Sequence, residues 1–232
     1  MGEAMIRGRR TRINYAKDFE YTTNDTATLV TKYIGSKTEV VVPNKIEGKP
    51  VVLQNSVDNT SGVFTNNHNI VSVKFSEGVS FANNSMSYAF ALCYNLVNAP
   101  IIPANVTNMY ATFYDCGNLI SAPVIPAKVT NMSWTFYDCY NLVNAPAIPA
   151  NVTSMVYTFY VCLNLVNAPV IPSNVTNMHG TFGLCANLIS APTIPANVTN
   201  IAQTFIGCSN LINAPVIPAN VTNMINTFRN CT

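Results

Sequence analysis

The stretch FALCYNLVNAPIIPANVTNMYAT, Phe90–Thr112, is followed at once by FYDCGNLISAPVIPAKVTNMSWT, Phe113–Thr135. Four more units of the same pattern run on to Thr227, and Phe228–Thr232 begins a seventh. The unit reads F-x-x-C-x-N-L-[VI]-[NS]-A-P-x-I-P-[AS]-[NK]-V-T-[NS]-[MI]-x-x-T. Cys93, Cys116, Cys139, Cys162, Cys185, Cys208 and Cys231 therefore fall 23 residues apart. Equal spacing of that length, with an odd cysteine count, marks stacked structural repeats rather than a disulfide framework. A degenerate unit precedes the array. Phe64, Asn67, Asn69, Ile70, Val71 and Ser72 fit its first half, with Asn67 in place of cysteine. That unit is three residues longer, so its turn is expected to loop out.

The recurring apolar positions of the first unit are Phe90, Cys93, Leu96, Ala99, Ile102, Val106 and Met109. Steps of three and four would by themselves describe an amphipathic helix or a heptad seam. Pro100 and Pro103, repeated in every unit, exclude a continuous helix. Helix or 3-10 turn is left to the proline-free window, roughly 107–116, with Thr107 or Asn108 as its cap. Leu96–Ile102 is expected to be extended, because residues before proline are pushed to β geometry. Proline lacks an N–H, so pairing there is short and irregular.

One unit cannot bury its own apolar side, but stacked units can. The expected fold is a repeat solenoid with one coil per 23 residues. Short parallel strands alternate with short helical or 3-10 turns, and coils rise about 4.8 Å each. The phenylalanines then form an internal column, the cysteines a second, and Asn95 and its equivalents a third that bonds turn backbone.

The unit resembles the leucine-rich repeats of the BspA-like, treponemal class. The resemblance rests on V-T-N-M-x-x-T-F-x-x-C-x-N-L, matched in register six times. Upstream, Thr38–Val51, TEVVVPNKIEGKPV, is similar to the first strand-and-turn unit of such arrays. The likeness covers residues 19–232. A-P-x-I-P is one residue longer than the usual strand segment, with a correspondingly shorter helical side. The resemblance implies adhesion or recognition outside the cell, with no enzymatic activity.

Only 9% of the 232 residues are charged, where about 25% is usual for soluble domains. Residues 1–89 hold 18 of the 22 charges; the rest of the chain holds Asp115, Lys128, Asp138 and Arg229. Three regions follow: a basic arm at 1–18, a capping region at 19–89 and the array at 90–232. Pro or Asn interrupts every apolar run, which excludes a spanning helix and membrane insertion. High aliphatic and aromatic content excludes disorder. The net charge of +2 argues against nucleic-acid binding.

Catalysis needs titratable groups brought together, and the array offers few. Asp115 and Asp138 occupy equivalent positions on adjacent coils and read as solvated surface residues. With no C-x-x-C and no histidine beside the cysteines, these read as packing groups; no metal, cofactor or enzymatic activity is expected. The N-x-T sequons, such as Asn105-Val106-Thr107, recur because the turn recurs. Ice binding through Thr107 and its equivalents is disfavoured, since flat T-x-T strands are absent.

The variable positions carry the functional signal. Tyr94, Tyr110, Tyr114, Trp134, Tyr137, Tyr140, Tyr157 and Tyr160, with His179, form the candidate binding surface. Aromatic rings with few charges suit a glycan or protein on a cell surface; the competing reading is that they only cover the turn side. Arg7, Arg9, Arg10 and Arg12 form a candidate tether to other structural proteins of an assembly. The incomplete seventh coil is a candidate for self-association. No secretory, transmembrane or lipidation segment is recognisable. With Met1 as the native start, a phage virion protein (tail fibre, tail tip or capsid decoration) is the first functional expectation. The alternatives are a secreted or wall-attached bacterial adhesin, and a purely structural spacer or decoration protein.

Overall fold

The structure, a computed structural model, describes residues 15–55 and 61–231. The arginines of the basic arm lie outside the described residues. A 3-10 turn at Tyr15–Asp18 leads into β1, Phe19–Thr23. β1 pairs antiparallel with β2, Thr28–Tyr33. Asn24 closes that hairpin: its Oδ1 accepts the N–H groups of Thr26 and Ala27, each at 2.9 Å. β3, Glu39–Val42, is followed by a tight hairpin of β4, Lys45–Ile46, and β5, Lys49–Leu53. Glu47 and Gly48 make its turn at φ 53° and 80°. β5 also pairs in parallel with β2 and with β7, Ser80–Phe81; β6, Ser72–Phe75, pairs in parallel with β3.

Into the array the strands shrink to single parallel bridges in two files. One runs Ser72, Asn98, Ser121, Asn144, Asn167, Ser190, Asn213; the other runs Ser85, Asn108, Asn131, Ser154, Asn177, Asn200, Asn223. The expected strand at Leu96–Ile102 thus pairs only at Asn98, since Pro100 and Pro103 cannot donate.

The turn side is a series of 3-10-type turns rather than continuous helix. The N–H groups of Thr112, Tyr114 and Cys116 bond three residues back, to Met109, Ala111 and Phe113. The N–H groups between them point to the next coil: Met109 to Asn131, Ala111 to Ser133, Phe113 to Thr135 and Asp115 to Tyr137. Ala111 and Asp115 stand at φ 50° and 57°, and their equivalents in every coil are also left-handed. A left-handed residue turns its peptide out of the helical direction, so each stretch stops after one turn. For residues other than glycine this costs on the order of 1–2 kcal/mol. The inter-coil bonds offset that cost.

The core is a set of columns. Phe64, Phe90, Phe113, Phe136, Phe159, Phe182, Phe205 and Phe228 stack with centroids 4.9–5.9 Å apart and planes within 11°. Tyr33 abuts Phe64 at 5.9 Å, so the capping region continues the same core. Thr112 and its equivalents are buried, each hydroxyl donating to a carbonyl one coil back at 2.7–3.0 Å. Each cysteine Sγ donates likewise at 2.9–3.2 Å. The asparagine column differs from expectation. Asn118, Asn141, Asn164, Asn187 and Asn210 donate to one another's side chains at 3.3–3.4 Å, not to turn backbone. In-register stacking brings identical amides within reach, as in other asparagine ladders. Only Asn95, at the first coil, donates to backbone, the His68 carbonyl. Outside, Asn151, Asn174, Asn197 and Asn220 also donate to carbonyls of the preceding coil, which accounts for the recurring sequon.

Candidate functional site

The aromatic residues sit on the turn side, where each coil offers three variable positions around its buried phenylalanine. The left-handed position holds Tyr88, Ala111, Trp134, Tyr157, Gly180 and Gln203 in successive coils, at φ 50–62°. The position after phenylalanine holds Tyr114, Tyr137, Tyr160 and Gly183. The position after methionine holds Tyr110, Ser133, Val156 and His179. The coil backbone is held by inter-coil hydrogen bonds, so the rings project from a fixed frame.

Six of the nine candidates form one continuous cluster. Tyr114, Tyr137 and Tyr160 stack at 4.9 and 5.4 Å, nearly parallel. Trp134 lies 4.8 Å from Tyr137 and 4.5 Å from Tyr157. Tyr157 packs edge-on against Tyr160 at 5.0 Å and against His179 at 4.7 Å. The Tyr157 hydroxyl also pairs with His179 Nε2 at 2.7 Å and donates to Gln203 Oε1 at 3.2 Å. His179 Nδ1 is buried without a hydrogen-bond partner.

The cluster ends where glycine begins. A Cβ on Gly180 would stand 2.3 Å from the Tyr157 ring, and one on Gly183 would stand 2.4 Å from the Tyr160 ring. The two rings therefore lie flat over the next coil, and glycine is the residue that admits them. At the other end Tyr110 meets Tyr88 edge-on at 5.5 Å. Tyr88, which the sequence pattern does not single out, belongs to the degenerate unit; its signal is its place 23 residues before Ala111. Burial and a hydrogen bond to Tyr110 push the Tyr88 phenol up to about 12. Between the pairs Tyr88–Tyr110 and Tyr114–Trp134 lies a hollow of about 250 Å³, floored by Ala111.

Tyr94 and Tyr140 stand apart, with no ring contact to this cluster. Tyr94 packs on His68 at 4.8 Å, and burial, with Asp115 nearby, raises its phenol. Tyr140 lies over Gly117, whose absent Cβ would fall 2.4 Å from the ring.

Asp115 and Asp138 are half-buried, and burial raises both carboxyls above the usual range. Asp138 adds repulsion at Asp115, while the Tyr94 hydroxyl partly offsets it. A raised carboxyl favours the fold when protonated, and that contribution is lost as pH rises through its folded pKa. Asp138→Asn is therefore expected to raise the melting temperature at pH 7. The gain should disappear at pH 3, where both forms are neutral; thermal melts at the two pH values check this.

The cysteines are unlike reactive thiols. Burial raises them, Cys93 and Cys208 to about 12, with Cys116, Cys162 and Cys185 moved strongly in the same direction. Cys231 is half-buried, and burial raises it too, with a backbone hydrogen bond acting in the opposite direction. Thiol labelling of the native chain at pH 8 is expected to modify Cys231 alone, the other six reacting only after denaturation. Mass spectrometry before and after adding guanidinium reads the difference.

A second surface escaped the sequence pattern. The residue after the first proline points outward: Ile101, Val124, Val170 and Val216 are 87–90% exposed. Grooves of about 430 and 470 Å³ flank Val170, one towards Thr193 and the other towards Ala147. The signal was present, since this position varies while its prolines do not.

The coil and its columns define a leucine-rich-repeat solenoid. The family model for the BspA type leucine rich repeat region matches six copies, over residues 51–165 and 111–232, and the chain belongs to that family. It is similar to the crystal structure of the T. pallidum leucine rich repeat protein, at 24% identity and a TM-score of 0.67, covering 84% of this chain and 89% of that one. It is also similar to a leucine-rich repeat protein from Bacteroides ovatus ATCC 8483, at 19% identity and a TM-score of 0.67 over 88% of this chain and 53% of that one. No curated protein matches the sequence. Among the described residues no helix is long and apolar enough to cross a membrane, and no cluster of three metal-ligating residues occurs.

Proposed function

We propose that this chain is a non-enzymatic recognition module of a bacterial surface adhesin, engaging its partner through the aromatic face. The observation that carries the reading is the continuous cluster of Tyr114, Trp134, Tyr137, Tyr157 and Tyr160 on a frame fixed by inter-coil bonds. Rigid aromatic side chains provide contact area at low entropic cost. The array supplies no grouping of titratable side chains suited to catalysis, in keeping with a binding role. Both solved structures described above come from bacteria. Nothing comparable supports a virion protein, so the adhesin displaces that expectation. The partner is a glycan or protein on a cell surface.

Fractionation of the native source tests the location. The reading expects the chain in the cell envelope and accessible to antibody on intact cells. Recovery in phage particles, with none in the envelope, would restore the virion reading.

A further inference from the structure

Between Tyr88 and Tyr157 the left-handed column carries an aromatic ring at each place except Ala111; Gly180 and Gln203 follow beyond that run. At Ala111 the ring is missing, and the space it would fill is the hollow of about 250 Å³. Four rings surround that gap in two contacting pairs, Tyr88–Tyr110 and Tyr114–Trp134. The lining holds no amide, carboxylate or guanidinium side chain. Its polar side-chain groups are the tyrosine hydroxyls and the Trp134 N–H. What the hollow offers is π-electron density, which attracts cations, especially weakly hydrated ones. The charges of Asp115 and Asp138 act on Tyr114 at one wall, adding to the attraction for a positive group.

We propose that the Ala111 hollow is an aromatic cage for a quaternary ammonium group of the trimethylammonium class, such as a choline head group. The proposal rests on the aromatic-face reading above and narrows its chemistry. Methyl groups shield the nitrogen from water, so desolvation is cheap, while the full charge still meets the rings. Primary ammonium ions hold their water and are excluded.

Trp134 is the single tryptophan of the chain and forms one wall of the hollow, so its fluorescence reports occupancy directly. The full chain is titrated with choline, tetramethylammonium, ammonium and 3,3-dimethylbutanol, the neutral isostere of choline, at constant ionic strength. The expected result is a saturable change with the first two, and half-saturation by choline at a concentration about tenfold below that of the neutral alcohol. Ala111→Tyr fills the gap and should abolish the response. Its fold is secured by precedent, because Tyr88 and Tyr157 hold the same backbone at φ 57° and 53°. Tyr110→Leu, which removes one wall, should weaken choline binding while the chain keeps the parent's circular dichroism spectrum. Sedimentation with phosphatidylcholine vesicles would place the group on a lipid. Response to free phosphocholine without sedimentation would place it on a soluble or glycan-borne molecule; either sustains the cage. An equal response to the neutral isostere, or an Ala111→Tyr chain that still responds to choline, overturns it. So does a silent Trp134 in a chain that binds cells through Tyr137, an outcome that leaves the aromatic face itself intact.

Discussion

Phe136→Ala is expected to lower the unfolding free energy by about 3–5 kcal/mol, the usual range for emptying a fully buried phenylalanine site. Phe136 has no exposed surface and lies between Phe113 at 5.6 Å and Phe159 at 5.5 Å. Its removal deletes two ring contacts and leaves a gap that the coils cannot close. The inter-coil hydrogen bonds on both sides fix their spacing. A solenoid coil contacts only its neighbours, so the damage should also divide the array into two weakly coupled halves. Urea unfolding followed by Trp134 fluorescence and by circular dichroism should give two transitions that no longer coincide. A single transition with a loss below about 1 kcal/mol would mean that the column is not continuous.

The second large effect concerns the junction between cap and array. A Cβ on Gly62 would lie 2.4 Å from Ala89 Cα and 2.5 Å from the Tyr88 carbonyl oxygen, both backbone atoms. The segment cannot step aside easily. The Gly62 N–H donates to Thr65 Oγ1 at 2.6 Å, and that hydroxyl donates to the Tyr88 carbonyl at 2.6 Å. The Phe64 N–H bonds the Ala89 carbonyl, and Phe64 stacks on Phe90. Gly62→Ala is thus expected to cost about 3 kcal/mol, at the upper end for overpacking. It should also shift Tyr88 and blunt any ligand response at the Ala111 hollow. A melting temperature within a degree of the parent would show that this junction is slack.

Much of the architecture was legible in the repeat itself. Cysteine spacing fixed the coil length, and Pro100 and Pro103 excluded the helix that apolar spacing alone suggested. Phe64 revealed the degenerate unit despite its altered cysteine position. The left-handed residues were not legible. Ala111, Trp134 and Val161 have no local preference for that conformation, Val161 least of all. They adopt it because the next coil accepts their N–H groups, a stabilisation that exists only after stacking. The asparagine column was legible, but its bonding was not: the amides bond one another along the column rather than turn backbone.

The candidate site was half legible. Aromatic enrichment in the first coils was plain, and Tyr114, Trp134, Tyr137, Tyr157, Tyr160 and His179 do come together. Grouping Tyr94 and Tyr140 with them treated variability as a single surface, whereas the residue after cysteine faces elsewhere. The hollow was invisible because it is marked by a small residue, Ala111, within the run of rings at Tyr88, Trp134 and Tyr157.

The role of the aromatic face is tested most directly by the binding of labelled chain to cultured epithelial cells, measured by flow cytometry. Tyr137→Ala and Trp134→Ala are compared there with Val124→Ser and Val170→Ser on the proline side. The aromatic variants should lose about tenfold or more in affinity, as buried interface anchors do, while the proline-side variants bind like the parent. Loss confined to the proline-side variants, or no binding by the parent chain, would contradict the assignment of recognition to the aromatic face.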